Sequence, residues 1–253
     1  MSRVLAWVDG ANSAVMAKLA LSSDPDIIPV HVDLGTSVDE DSHRFIDDLE
    51  GWFGKEIVRI RSDEFANVDE VFEKRKYLGG QHGAPCTGEM KVAPRLIFQR
   101  HDDTHLWGYT ADRRDARRFR LMQENYPELR QDAPLIARGI TKLACHALLE
   151  RSGIRRPRVY DLGFPNGNCL GCSKSSSPGY WAAVRLHFPE VWARRVDQDR
   201  RFGRNKLELH GRRVCLDQLP ADFPPRPADI ASCDFLCHLA EQDIDERVAS
   251  TAS

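Results

Sequence analysis

Between Val4 and Arg151 short apolar runs alternate with helical stretches, and no other feature restricts the fold of this chain so tightly. Val4-Leu5-Ala6-Trp7-Val8 reads as a buried strand ending at Asp9-Gly10, with a helix over Ala14 to Leu21 behind it. IIPVHV (27–32) is a second strand, closed by Asp33-Leu34-Gly35-Thr36. Asp41 to Trp52 places Phe45, Leu49 and Trp52 at helical spacing. Ile57 to Ile60 predicts a third strand and Val68 to Tyr77 a helix. Glu89 to Arg100 predicts a helix in spite of Pro94, and Leu106 to Tyr109 a fourth strand. Arg113 to Asn125 is a basic helix, and Thr141 is placed to cap a helix that ends at Arg151. This order implies the α/β class: a Rossmann-like, mostly parallel sheet with helices on both faces. Ligands of such sheets sit at the carboxyl ends of the strands. Here those ends are Val8–Ser13, Asp33–Thr36 and Gly108–Asp112.

After residue 160 the pattern gives way to loops, aromatics and cysteines. The expected division is an α/β unit over 1–160 and a Cys-rich, mainly helical and loop region over 161–253. PADFPPRP (220–227) reads as an extended linker. YWAAVRLHFPEVW spaces its aromatics like one helix face followed by a second packed segment. Trp52, Trp107, Trp181, Trp192, Tyr180 and Phe188 therefore read as core rather than as base-stacking platforms.

The N-terminal MSRVLAWVDG lacks the apolar core of a signal peptide, and no apolar run approaches the ~20 residues of a membrane span. The expectation is a cytoplasmic protein with no membrane partner. There, seven cysteines serve as thiols, metal ligands or catalysts rather than disulfides. Cys169 and Cys172 form a CxxC pair around Gly171. Cys86 stands in GAPCTGEMK before a helix, where the helix N-terminus favours the thiolate, and Cys233 and Cys237 stand in SCDFLC. These point to one metal site closed by tertiary folding: Cys86, Cys169 and Cys172, with Cys233 or Cys237 as fourth ligand. Zinc and iron–sulfur both satisfy such a set. A redox CxxC pair and plain buried cysteines are the metal-free readings. Cys145 falls on an apolar helix face and Cys215 in a strand-like run, so both stay outside the site.

The net charge of -2 gives no global field toward nucleic acid, but RRDARRFR (113–120), RSGIRRPR (151–158) and RRVDQDRRFGRNK (194–206) are locally basic. Arginine forks in the first suit phosphate or sulfate oxygens, against a solvated helix face as the plain alternative. Lys91, Lys142 and Lys174 lie beside motifs. The turn Val8-Asp9-Gly10-Ala11-Asn12-Ser13 between strand and helix can aim backbone amides at a phosphate; it can equally be a simple connection capped by Asn12 or Ser13.

Taken in order, the strand–VDGANS–helix start, HVDLGT, RFIDDLEGWFG, HGAPCTGEMK, LWGYTADRRDARRF, PLIARGITK and PRVYDLGFPNGNCLGCSK with YW and FPEVW resemble a known family. It is the PAPS reductase-like branch of the adenine nucleotide α-hydrolase (PP-loop) superfamily, in the compact form found in phage and mobile elements. The resemblance covers residues 3 to 205. It implies a nucleotide-binding first unit, with Val8–Ser13 (Asp9, Gly10, Ala11, Asn12 and Ser13 included) as pyrophosphate loop. It puts Asp33, Gly35 and Thr36 near the adenosine, Gly108 at the cleft, and Arg117 on phosphate or sulfate. It implies a [4Fe-4S] cluster on Cys86, Cys169 and Cys172, with zinc as the alternative, and ATP, APS or PAPS as the nucleotide. The activity implied is reduction of a sulfonucleotide or sulfur transfer from an adenylylated substrate. A nucleic-acid substrate, an electron-donor protein and a homo-oligomer are compatible partners.

Two departures from the family pattern shape these expectations. The loop is usually SGGxDS-like, whereas here Val8, Asp9 and Asn12 replace the first serine, the first glycine and the acidic residue. An aspartate facing a polyphosphate is repulsive unless a metal or a lysine intervenes. Sulfonucleotide reductases carry an ECGxH-like tail; here SCDFLCH stands instead, so Cys237 and His238 are the candidates for nucleophile and imidazole partner. A non-catalytic nucleotide- or nucleic-acid-binding protein with a degenerate loop and a structural metal is the alternative function.

Overall fold

The computed structural model describes residues 2–80 and 83–226. Cys233, Cys237 and His238, with the cluster-ligand and nucleophile roles expected of them, lie outside the described residues. Five parallel strands form the central sheet: β1 (Val4–Trp7), β2 (Ile28–Val32), β3 (Val58–Ile60), β4 (Thr104–Leu106) and β5 (Arg130–Asp132). Their order is β3-β2-β1-β4-β5, with Ala6 beside both Pro29 and Leu106. The order reverses between β1 and β4, and a crevice opens at the carboxyl ends of the strands at such a switch point.

Alternation of side chains across β1 supplies both layers. Ala6 and Val8 join the larger core with α1 (Ala11–Ser23), α2 (Glu40–Phe53) and α8 (Lys142–Arg151). Leu5 and Trp7 face the other way, onto Val30, Ile60 and Phe98. Each fully buried aliphatic side chain contributes about 1.5–3 kcal/mol. Cys145 is wholly buried in the larger core, as its helical position predicts. That same core takes in Phe164, Tyr180, Trp181 and Leu216, so it runs across residue 160. A satellite cluster under α3 (Val68–Arg75) gathers Leu34, Phe72 and Met90, with Cys86 and Cys169 against it.

Three expectations shift. The fourth strand stops at Leu106, because the chain must turn where Gly108 lies against Ser13: a Cβ on Gly108 would come within 2.6 Å of the Ser13 Cα. The helix expected over Glu89–Arg100 starts earlier, as α4 (Pro85–Thr87), passes through a π-turn (Gly88–Val92) and ends as α5 (Ala93–Phe98). Pro94 has no N–H to donate, and the π-turn, with the Ala93 N–H reaching back to the Gly88 carbonyl, absorbs the misfit. Cys215 is not in a strand: it follows the hairpin β6 (Leu207–Leu209) and β7 (Arg212–Val214) and caps a 3₁₀ turn.

The remaining helices are α6 (Arg113–Asn125), α7 (Pro134–Ala137), α9 (Pro178–His187) and α10 (Pro189–Phe202). The last two are the packed pair expected from the aromatic spacing. The start of the 220–227 segment is pinned: the Arg185 guanidinium donates to the carbonyls of Leu219, Pro220 and Ala221, and the Arg226 N–H to that of Gly179. No described helix is long and apolar enough to cross a membrane.

Candidate functional site

A cavity of about 450 Å³ opens at the switch point, lined by Trp7 to Gly10, Asn12 and Ser13 on one side and by Trp107 to Tyr109 on the other. Thr87, Lys91, Val92 and Arg95 complete its wall with Tyr160 and Asn166–Asn168. The expected loop is therefore at the site, but its amides are occupied. The Ser13 hydroxyl accepts from the N–H groups of Asp9 (2.9 Å) and Gly10 (3.0 Å) and donates to the Gly10 carbonyl. The Ala11 N–H turns to the Tyr160 hydroxyl (3.4 Å), which also accepts from Gly167 (3.2 Å). Burial raises the Tyr160 pKa, which keeps this hydroxyl neutral. The Asn12 side-chain carbonyl is sealed without a hydrogen-bond partner among the described residues.

Asp9 meets the lysine that its position calls for: Lys91 Nζ lies 3.1 Å from its carboxylate. The Asp9 charge raises the Lys91 pKa, and the nearby sulfurs of Cys169 and Cys172 raise it further. Lys91 thus joins the loop to the cysteines. Asp33 serves the backbone instead: its carboxylate accepts from the Gly35 N–H (2.8 Å). Gly35 sits at φ +55° against the Ala66 carbonyl, where no side chain fits. Asp33, Gly35 and Thr36 hold the turn after β2; the cavity wall there is Val32. Gly108 lines the cavity as expected. Arg117 is exposed on α6 and not on the wall; Asp115, Arg118 and Met122 are, at helical spacing. Arg118 pairs with Asp115 (3.0 Å) and lies over the Tyr109 ring.

Cys86, Cys169 and Cys172 converge beside the cavity, where Thr87 and Asn168 are both wall residues and chain neighbours of cysteines. The charge of each of Cys86 and Cys172 bears on Cys169. The CxxC turn is held on three sides. Leu170 N–H donates to the Ser37 carbonyl (2.8 Å), the Tyr180 hydroxyl accepts from the Cys172 N–H (2.7 Å), and the buried Arg195 donates to the Gly171 carbonyl (2.8 Å). Gly171, at φ +62°, would drive a Cβ into Val191.

Cys86 is half-buried beside the cavity. Burial first, then the neighbouring Cys172, raises its pKa, against a lowering by the Ser173 hydrogen bond and by the Lys174 and Arg195 charges. Burial likewise pushes Cys169 up to about 12, against a lowering by Lys91. Among the described residues no three His, Cys, Asp or Glu side chains are grouped to hold a metal ion. The donor set of three soft, desolvated sulfurs with one lysine fits a thiolate-ligated centre in chemistry.

Two features of the wall carried no signal in the sequence. One is Trp7, which lies parallel to Trp107 (centroids 5.8 Å apart) and to the buried His105 (5.9 Å). Trp107, expected as core, is thus a wall. The other is Arg95, 5% exposed on α5, over the Trp107 and Tyr126 rings. Much of the basic sequence is paired with carboxylates of the same chain at its surface. Arg158 grips Asp39 with two bonds of 2.8 Å, Arg156 pairs with Asp161, and Arg201 with Glu73 and Asp197.

No protein-family model matches the sequence, and no curated protein does. Among solved structures the chain is similar to a phosphoadenylyl-sulfate (PAPS) reductase from Candida auris, in its phosphate complex. The two share 11% identity at a TM-score of 0.49, over 68% of this chain and 83% of that one. The α/β class of this chain follows from its own five-stranded parallel sheet.

Proposed function

We propose that this chain is an iron–sulfur enzyme of the PP-loop type, which binds an adenylylated or sulfonucleotide substrate in the switch-point cavity and carries out sulfur chemistry there. One observation carries this reading: Lys91 pairs with Asp9 of the cavity loop and its charge bears on Cys169 and Cys172. Its charge offsets the Asp9 carboxylate, which would otherwise repel a polyphosphate, and offsets negative charge at the sulfurs. Cys86, Cys169 and Cys172 would hold a [4Fe-4S] cluster, with Cys233 or Cys237 as fourth ligand. When bound, the cluster would supply an electron-rich centre beside the substrate. The chain's own residues bind and orient: Gly108 lets the β4 turn approach Ser13, and Tyr160 holds the loop end and the 166–168 wall together.

Calorimetric titration with ATP, APS and PAPS, with sulfite and pyrophosphate followed in parallel, tests the enzyme reading. Saturable binding of one nucleotide with release of either product is expected. Failure of all three to bind at millimolar concentration would overturn it.

A second reading is favoured by Ser13, whose hydroxyl consumes the amides that a phosphate would need. It is a nucleotide- or nucleic-acid-binding protein with a decayed loop and a structural metal. The exposed arginines 113, 114, 117 and 120, which pair with no described residue, would then face the nucleic acid. Binding without turnover, together with zinc in place of iron, is the outcome that selects it.

A further inference from the structure

Among the described residues that line the cavity, Arg95 is the one whose charge has no counterpart. Only 5% of it is exposed, yet its guanidinium makes no hydrogen bond or ion pair among the described residues, and its Nε is sealed off without a partner. It rests against the Trp107 ring (6.0 Å) and the Tyr126 ring (5.2 Å), both cavity walls. Among the described residues Glu128 is the carboxylate whose charge bears on it, and no ion pair forms between them. Burying an unpaired cation is costly, and aromatic faces return only part of that cost. The other cations on the wall are compensated: Lys91 by Asp9 and Arg118 by Asp115.

We infer that Arg95 is an anion receptor: the cavity takes the oxyanion of its ligand, a phosphate or sulfate group, at the Arg95–Trp107–Tyr126 end and not at the Asp9–Ser13 loop. The loop end is unsuited, since Ser13 and Tyr160 use its amides and the Asp9–Lys91 pair leaves no net charge there. At the other end a planar fork with unused donors matches tetrahedral oxygens, and the flanking rings exclude water. Lys91 and Arg95 lie four residues apart across the π-turn, so one element offers a neutralised end and a charged end to the same ligand.

This inference rests on the reading of the cavity as a ligand site, and on neither the cluster nor the nucleotide. Its probes are inorganic phosphate and inorganic sulfate, added to the full-length protein at constant ionic strength and read by tryptophan fluorescence, because Trp107 adjoins the receptor. Saturable quenching is expected, weakened about tenfold or more in Arg95→Gln and partly restored in Arg95→Lys. Without ligand, Arg95→Met is expected to melt no lower than the parent, as removal of an unpaired buried charge predicts. Equal phosphate binding by the parent and Arg95→Gln would overturn the inference even if nucleotides bind. So would a large loss of stability in Arg95→Met with no phosphate protection of the parent. Phosphate binding lost in Arg95→Gln would sustain it even if no nucleotide is turned over.

Discussion

His105 shows how one side chain sets a pH limit on the sheet. It is wholly buried between β1 and β5, and its Nδ1 accepts from the Trp7 indole N–H at 2.9 Å. Protonation there would break that bond and leave a cation in the core. Burial first, then the nearby Arg95 charge, lowers its pKa to about 4. The unfolded chain takes up this proton near pH 6.5 while the folded chain refuses it until about 4, so stability falls as pH drops through that window. Asp41 and Glu73, both held down to about 2 by Arg44 and Arg201 respectively, remove further stability as pH falls from their unfolded values of 3.8 and 4.5 toward about 2. Thermal melting between pH 7 and 3 should show both windows, and His105→Asn should erase the upper one alone. A flat melting temperature from pH 6.5 to 4.5 in the parent would contradict this. Lys91→Met acts at the same scale. It leaves the Asp9 carboxylate uncompensated on the cavity wall, so nucleotide affinity should drop about tenfold or more while the fold persists.

Two close approaches between elements set the site. Gly108→Ala would push a Cβ onto the backbone of the first turn of α1, so a loss of about 1–3 kcal/mol is expected, with the cavity loop displaced. Arg195→Ala removes the buried donor that fixes the Gly171 carbonyl and its packing over Phe72. A cost of about 2–5 kcal/mol is expected in denaturant melts. Much of this level was legible in the sequence. Long periodic segments such as Arg113–Asn125 and the Thr141 cap, whose hydroxyl accepts from the Ala144 N–H, coincide with the structure. The strand β5 was not, because Arg130-Gln131-Asp132 lies at the sheet edge and carries no apolar alternation. Nor was the β6–β7 hairpin. Its signal was present in His210-Gly211, both at positive φ as a tight hairpin turn requires. At the site, the loop and the three cysteines could be read from motif spacing. Arg95 could not, since nothing in APRLIF separates a buried cation from the surface arginines around it. Arg118 was missed for Arg117 because only the tertiary placement of α6 decides which of two adjacent arginines faces inward.

At the scale of the whole molecule, the 85–98 helix, the 166–172 turn and the β1–α1 loop converge on one cavity edge, and α3, α9 and α10 brace the cysteine turn from behind. A chain organised this way places three sulfurs from two distant segments beside the switch-point cavity, with Lys91 near two of them. Under the proposed function those sulfurs hold an iron–sulfur cluster. Absorbance of anaerobically purified protein, with iron and sulfide assayed on the same sample, tests it most directly. A brown protein is predicted, with a broad band near ~400 nm that Cys86→Ala, Cys169→Ala or Cys172→Ala bleaches and Cys145→Ala leaves intact. Colourless protein carrying one zinc per chain, or a band that survives Cys169→Ala, would contradict it.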